Sequence, residues 1–359
     1  MSNVVFAIDT NSSGGAERVT ANLANYLVTQ NHDVTIINSD TDSAFYELDK
    51  RVKVIKWGLD RKKLNSIQRF FVKTKLLKTF FSQNKPDAVV TFLFHMEAPT
   101  ILAGLATKTR VFTSVRNSAK SYTRFERMFR RIFYPFIAGV VFQSNAVMEF
   151  KDFKRVVNKK VIMNPLEGGA KDYGSPVPFN LRKNIIITVG RLNSQKNHKL
   201  LIEAFSKNKK AVDNYTLHIF GKGELANNLK DLIIQKGLEN KVFLEGEILN
   251  ASRINRDAYA FVLSSDFEGF PNALVEAMAY GIPSLSTKFD SGVAEQLITP
   301  GKNGFLCKVN SVDDMVKNID QLLSLSHEKY EEIVAESCKI ADVLDPITIG
   351  RQWEEFLLG

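Results

Sequence analysis

The run Ile185-Ile186-Ile187-Thr188-Val189-Gly190-Arg191-Leu192-Asn193-Ser194-Gln195-Lys196-Asn197-His198, continued by KLLIEAFSKN (199–208), decides the fold. A short, β-rich run leads into a polar loop, and the loop leads into a helical pattern. The same unit recurs on both sides. Upstream lie VVFAI (4–8), VTIIN (34–38), AVVTFLF (88–94), VFTSV (111–115), GVVFQ (139–143) and VIMN (161–164). Downstream follow TLHIFG (216–221), VFLEG (242–246), AFVLSS (260–265) and PSLST (283–287). Most of these runs are continuous rather than alternating, as expected of strands covered on both faces. Helical patterns such as 16–30 lie between many of them. Strand–helix alternation of this kind predicts an α/β chain with parallel, doubly wound sheets.

The chain has 359 residues, enough for two domains of about 100–200 residues each. The segment PLEGGAKDYGSPVPFN (165–180) is dense in glycine and proline, and the strand series restarts after it. Domains at 1–167 and 168–345 are therefore expected, with the helical piece 346–359 free to pack on either. Hydrophobic residues make up 44% and charged residues 24%, which suits a folded soluble protein. Cys307 and Cys338 are too few for a disulfide framework and lack zinc-ligand spacing. No secretory leader is legible at the N-terminus, and no run reaches about 18 apolar residues. A reducing, cytoplasmic setting is expected.

The net charge of +9 is unevenly shared. Residues 1–170 carry 26 Lys and Arg against 14 Asp and Glu; the remainder carries 22 against 25. The first half should meet something anionic: nucleic acid, an acidic membrane surface or a phosphorylated substrate. Residues 61–85 hold eight Lys/Arg, four Phe and no acid, and 122–136 is similar with one Glu. Both read as basic aromatic helices, suited to an anionic membrane interface. The alternative is a solvated helix with its phenylalanines in the core. No base-reading motif accompanies them, so nucleic acid is not expected as a partner.

Three constellations follow strands. Asn11-Ser12-Ser13-Gly14-Gly15-Ala16-Glu17-Arg18 is either a phosphate-approaching glycine pair at a helix start or a tight turn. It is not the G-x-G-x-x-G dinucleotide fingerprint. In Gly190–His198, Arg191 and Lys196 offer a planar fork and a point charge for a diphosphate, at a strand's carboxyl end. Otherwise they are two exposed loop cations. His198 reads as a helix starter rather than a base. The third is Phe267-Glu268-Gly269-Phe270-Pro271-Asn272-Ala273-Leu274-Val275-Glu276-Ala277. Pro271 and Asn272 mark a helix start, Gly281 its end. The amides of Asn272, Ala273 and Leu274 would face an anion, with Glu268 and Glu276 reaching its two ends. Vicinal hydroxyls suit carboxylates, and a sugar nucleotide has two sets of them. Simple capping by the glutamates is the plainer reading.

In combination, Gly14-Gly15, Gly190-Arg191…Lys196 and Glu268-x7-Glu276 resemble the family 4 retaining glycosyltransferases of the GT-B fold. The pattern is similar to bacterial transferases that extend polyprenyl-diphosphate-linked glycans, N-acetylgalactosamine transferases among them. The resemblance implies two Rossmann-like domains facing a central cleft and a UDP-sugar donor. It places Gly14 and Gly15 at the donor diphosphate, Gly190, Arg191 and Lys196 on the same phosphates, Glu268 on the transferred sugar and Glu276 on the ribose. Phe270, Asn272, Ala273 and Leu274 would line the donor site, and Gly223 and Glu224, in Gly221-Lys222-Gly223-Glu224, would approach the nucleoside. Catalysis would rest on Glu268, Arg191 and Lys196, with no cofactor and no metal. Many relatives carry a histidine where this chain has Arg116-Asn117; these two, with His95, are the acceptor-side candidates. Asp40-Thr41-Asp42 fits the D-x-D pattern of metal-dependent transferases but lies away from the other constellations. The expected partner is a lipid-linked glycan on an anionic membrane, at the inner face of the plasma membrane. An epimerase or hydrolase on the same scaffold, or a non-enzymatic membrane-binding module, are the competing readings.

Overall fold

The computed structural model describes residues 1–9, 15–40, 46–59, 63–116, 122–248 and 250–359. The chain divides into two compact units, Met1–Pro165 with Pro346–Gly359, and Leu166–Asp345.

The first unit is built on a seven-stranded sheet: β1 (Asn3–Ile8), β2 (Asp33–Asn38), β3 (Lys53–Lys56), β4 (Ala88–Thr91), β5 (Val111–Val115), β6 (Gly139–Phe142) and β7 (Lys159–Val161). All pairings are parallel, in the order β3-β2-β1-β4-β5-β6-β7. Strand order therefore reverses between β1 and β4. The central strands are buried on both faces: Val4, Val5, Phe6 and Ala7 are sealed from solvent, as are Val89 and Val90. This is why they read as continuous apolar runs.

Four helices of this unit matter here: α1 (Gly15–Thr29), α2 (Ser66–Asn84), α3 (Phe94–Thr107) and α4 (Arg124–Phe133). Asn65 and Gln68 close a reciprocal capping box on α2, and Thr123 and Glu126 close another on α4. The α2 stripe Arg69-Lys73-Leu77-Phe81 recurs every four residues and is buried, whereas Ile67 and Phe71 face solvent. On α4, Phe129 is buried, while Phe125, Met128 and Ile132 are exposed along one face. The phenylalanines expected in the core are thus divided: some of them enter it and others do not. The apolar run 88–94 also divides, since strand gives way at Thr91 and α3 begins at Phe94.

The second unit has six parallel strands: β8 (Lys183–Val189), β9 (Thr216–Phe220), β10 (Val242–Gly246), β11 (Ala258–Leu263), β12 (Ser284–Lys288) and β13 (Phe305–Lys308). Their order is β10-β9-β8-β11-β12-β13, so this sheet reverses between β8 and β11. Both sheets are therefore Rossmann-like. Among the described residues, no helix is long and apolar enough to cross a membrane.

Candidate active site

In open α/β sheets, ligands bind outside the carboxyl ends of the strands where strand order reverses. In the second unit that point lies between the loop after β8 and the loop after β11. These two loops carry Gly190–Lys196 and Glu268.

Lys196 and Glu268 form an ion pair, Nζ to Oε1 at 2.5 Å, with side chains only 15% and 7% exposed. Ser265 donates its hydroxyl to the same Oε1 at 2.6 Å, and Gln195 Nε2 reaches Oε2 at 3.4 Å. The Lys196 amide is held by Asn193 Oδ1 at 3.1 Å, and its carbonyl accepts from Ser264 at 2.9 Å. The carboxylate is thus fixed by cation and hydroxyl donors together. Arg191 stands exposed in the same loop.

Glycines set the shape of this loop. A Cβ on Gly190 would meet the Lys196 stem at 3.1 Å, so the lysine lies across the glycine. A Cβ on Gly221 (φ +150°) would meet the Gly190 carbonyl oxygen at 1.9 Å, and one on Gly223 the Leu192 carbonyl oxygen at 2.3 Å. Leu192 and the 221–225 loop exchange backbone bonds, Leu192 N to Lys222 O and Leu225 N to Leu192 O, both 3.0 Å. Gly223, expected near the nucleoside, therefore packs the loop that holds Arg191. Glu224 beside it is exposed.

Asn197 caps the next helix, accepting from Leu200 N at 3.2 Å in a left-handed conformation (φ 43°). His198 is the first helical residue, as the sequence suggested. It is 3% exposed, and burial pushes its pKa down to about 4.

The helix Asn272–Ala279 starts and ends as the sequence suggested, with Gly281 in the left-handed region (φ +69°) beyond it. One correction concerns its first turn. The Asn272 amide donates to Phe270 O at 3.1 Å and the Leu274 amide to Pro271 O at 3.0 Å, so these two do not point outward. Leu274 and Phe270 are buried side chains; Ala273 is half-buried. Glu276 does not join the Lys196–Glu268 cluster. It lines a separate pocket of ≈ 200 Å³ with Asn250, Ser252, Arg253 and Tyr280.

In the first unit, Gly15 opens α1 and is exposed. Gly14 and Asn117 lie outside the described residues, as do Thr41 and Asp42. Asp40 is buried and pairs with Arg69 at 3.2 Å. Arg116 follows β5. Its guanidinium bonds Asn164 Oδ1 at 2.5 Å and stacks 4.8 Å from the centre of the Phe92 ring. Burial disfavours its charge, and Glu17 opposes that effect. His95 is exposed in the first turn of α3, which excludes the buried structural histidine the sequence left open.

A polar cluster escaped the sequence reading. Asp9, directly after β1, accepts from Lys73 and Ser39 and lies 3.5 Å from Arg69. Burial pushes the Asp9 carboxyl up, but the hydrogen bonds from Lys73 and Ser39 hold it below its ordinary value. The available signal was the Arg69-Lys73-Leu77-Phe81 spacing, which puts two cations on the stripe that turns inward. Among the described residues, no group of three or more His, Cys, Asp or Glu is arranged to hold a metal.

The family described as Glycosyltransferase Family 4 matches residues 13–157, and Glycosyl transferases group 1 matches residues 173–339. The chain is 28% identical over 352 residues to GalNAc-alpha-(1->4)-GalNAc-alpha-(1->3)-diNAcBac-PP-undecaprenol alpha-1,4-N-acetyl-D-galactosaminyltransferase of Campylobacter jejuni, covering 94% of this chain and 93% of that protein. Its fold matches a glycosyltransferase from Rickettsia africae with a TM-score of 0.81 at 20% identity, covering 100% of this chain and 99% of that one. It also matches Anabaena HepE in complex with UDP, with a TM-score of 0.78 at 19% identity, each chain 98% covered. With its two Rossmann-like sheets and both family models in sequence order, the chain belongs to the family 4, group 1 glycosyltransferases of the GT-B fold.

Proposed function

We propose that the protein moves a hexose or N-acetylhexosamine from a UDP-sugar to a polyprenyl-diphosphate-linked glycan, with retention of the anomeric configuration. The observation that carries this reading is the Lys196–Glu268 pair beside Arg191 at the strand-order reversal of the second sheet. Breaking the glycosidic C–O bond leaves a nucleoside diphosphate whose negative charge grows. Arg191 and Lys196 supply positive charge where it develops. Glu268, held by Lys196 and Ser265, offers fixed oxygens to sugar hydroxyls, and Glu276 in its own pocket suits the ribose. The acceptor hydroxyl attacks the same face of the sugar that the phosphate leaves. Its proton passes to the departing phosphate oxygen, so no protein base is required. Arg116 and His95 serve the acceptor. The UDP donor is supported by the UDP-bound Anabaena relative in fold, and the lipid-linked acceptor by the name of the Campylobacter relative.

Calorimetry tests this reading directly. UDP should bind the wild type, and Arg191→Ala should weaken it by about 1.5–3 kcal/mol, the worth of a charge-assisted contact. Failure of a folded protein to bind any nucleoside diphosphate would sink the transferase reading. Turnover without an acceptor, releasing free or isomerised sugar, would favour a hydrolase or epimerase. Activity should persist in a chelator, since Arg191 and Lys196 meet the phosphate charge in this mechanism.

A further inference from the structure

A second cavity lies within the first unit, at the point where its own strand order reverses. It has a volume of ≈ 710 Å³, well within the range of about 300–1,000 Å³ typical of ligand pockets. Its polar end holds Asp9, after β1, and His95, after β4, the two strands between which the order reverses. Lys73 joins them, bonded to Asp9 and to the His95 carbonyl at 3.3 Å. The remaining wall is mostly aromatic and aliphatic, with Asn65 and Ser66 at the start of α2 as polar exceptions. Phe94 meets Phe125 and Phe129 edge to face, with ring centres 6.1 and 5.4 Å apart, and Phe70 meets Phe71 at 5.5 Å. These contacts hold the wall in shape without a ligand.

The mouth opens among exposed apolar side chains: Ile67 is 70%, Phe71 65% and Phe125 62% exposed. Met128 and Ile132 continue the strip along α4, where Arg124 is exposed and Arg127 and Arg131 share the single carboxylate of Asp152, at 2.6 and 3.0 Å. A sugar site needs many polar groups available to hydroxyls, but here Lys73 and Arg69 are matched by Asp9 and Asp40 and Asn65 caps α2, which leaves Ser66 and His95. The cavity therefore suits hydrocarbon along most of its length. It runs from an apolar, cation-flanked surface to the strand ends where a ligand's polar end would sit.

We infer that the aromatic cavity between α2 and α4 holds the isoprenoid segment nearest the phosphates of the lipid-linked acceptor. This rests on the acceptor class proposed above and adds that the protein grips the lipid itself, not only its glycan. The hydrocarbon enters from the exposed strip, and the phosphate end points toward His95, the exposed polar side chain at the strand ends.

The test uses the full chain and water-soluble probes below their micellar concentrations: inorganic, isopentenyl, geranyl and farnesyl diphosphate, titrated by calorimetry. Affinity should rise with chain length, by at least about tenfold from isopentenyl to farnesyl diphosphate, because each added unit buries apolar surface. Ala98, 2% exposed, lines the cavity, so Ala98→Phe should fill it and weaken farnesyl diphosphate binding by about tenfold or more. UDP binding should stay unchanged in that variant. Should Ala98→Phe fail to fold, Phe70→Ser addresses the same wall by removing apolar surface, with the same expected loss. Equal binding of inorganic and farnesyl diphosphate, or farnesyl binding insensitive to both variants, would overturn the inference. UDP binding without chain-length dependence would end this proposal and leave the transferase reading standing. Loss of UDP binding in the wild type would remove the reading on which it rests.

Discussion

His198 shows how a residue that looks chemical can be structural. The imidazole sits one position after the helix cap and is sealed from solvent, so its charged form is disfavoured. Its folded pKa, about 4, lies below the ordinary value of 6.5. The unfolded chain therefore binds the proton more tightly, and stability falls as pH drops from about 6.5 toward 4. At about 1.4 kcal/mol per unit, this amounts to about 3 kcal/mol. Urea titrations of the wild type and His198→Gln at pH 7.5 and pH 4.5 should differ by that order, with the variant losing less stability on acidification. Identical pH dependence would mean that the ring is accessible when folded. Glu268 is the opposite case. It was a candidate in the sequence because Glu268-x7-Glu276 spans a helix start, but Ser265 and Gln195, which hold its oxygens, were not. Their polar side chains look like ordinary loop residues until β11 and the loop after β8 are brought together.

At the scale of elements, α2 and α4 carry much of the excess positive charge of the first unit, and their faces are divided. The buried stripe of α2 starts with two cations that reach Asp9 and Asp40, and its other side exposes Ile67 and Phe71. On α4, Arg130 turns inward to a bidentate pair with Glu97 at 3.1 and 3.0 Å, joined by Tyr134. This network ties α4 to α3 while Phe125, Met128 and Ile132 face outward. An exposed apolar strip beside arginines fits an anionic lipid surface. Sedimentation should find the wild type on vesicles containing anionic lipid but not on neutral ones, and Phe125→Asp with Ile132→Asp should cut that binding at least about tenfold. Equal sedimentation of the variant would assign the strip another role. Replacing Glu97 with Ala should instead be felt in folding, at about 3–5 kcal/mol, because Arg130 is left buried without its partner. A thermal melt that barely moves would show that α4 is held by its phenylalanines alone.

At the scale of the whole molecule, the chain leaves the first unit at Pro165 and returns to it at Pro346. The returning helix buries Trp353 and Leu357. Tyr26 and His32 bond Glu354 at 2.8 and 2.9 Å, and a Cβ on Gly350 would meet the Tyr26 ring at 2.4 Å. Trp353 contacts Phe92, with ring centres 6.3 Å apart, and Phe92 in turn carries the Arg116 guanidinium. The last fourteen residues thus support an acceptor-side candidate from below. Trp353→Ala should cost about 3–5 kcal/mol of stability in the first unit. It should also raise the acceptor KM more than the UDP-sugar KM. Equal shifts in both would break the link drawn between this helix and Arg116.

The α/β class, most of the strands, the helix that begins at Asn272 and the loop carrying Arg191 and Lys196 are all legible in the order of residues alone. Doubly covered strands leave unbroken apolar runs, and glycine, proline and caps punctuate them, so this information is local. The sequence reading missed β3 and β13; β3 presents lysine at both ends and is mostly exposed, so it leaves no apolar run. Which cations turn inward emerges only when the chain is folded. Lys73 and Lys75 are alike in sequence, and a difference of two positions on a helix separates a buried partner of Asp9 from the outer face. The fold also decides that Gly223 serves packing, because the Leu192 backbone that excludes a side chain there is thirty-one positions away. The same holds for the cavity between α2 and α4: its walls come from distant segments, and their convergence depends on strand order, which no local pattern records.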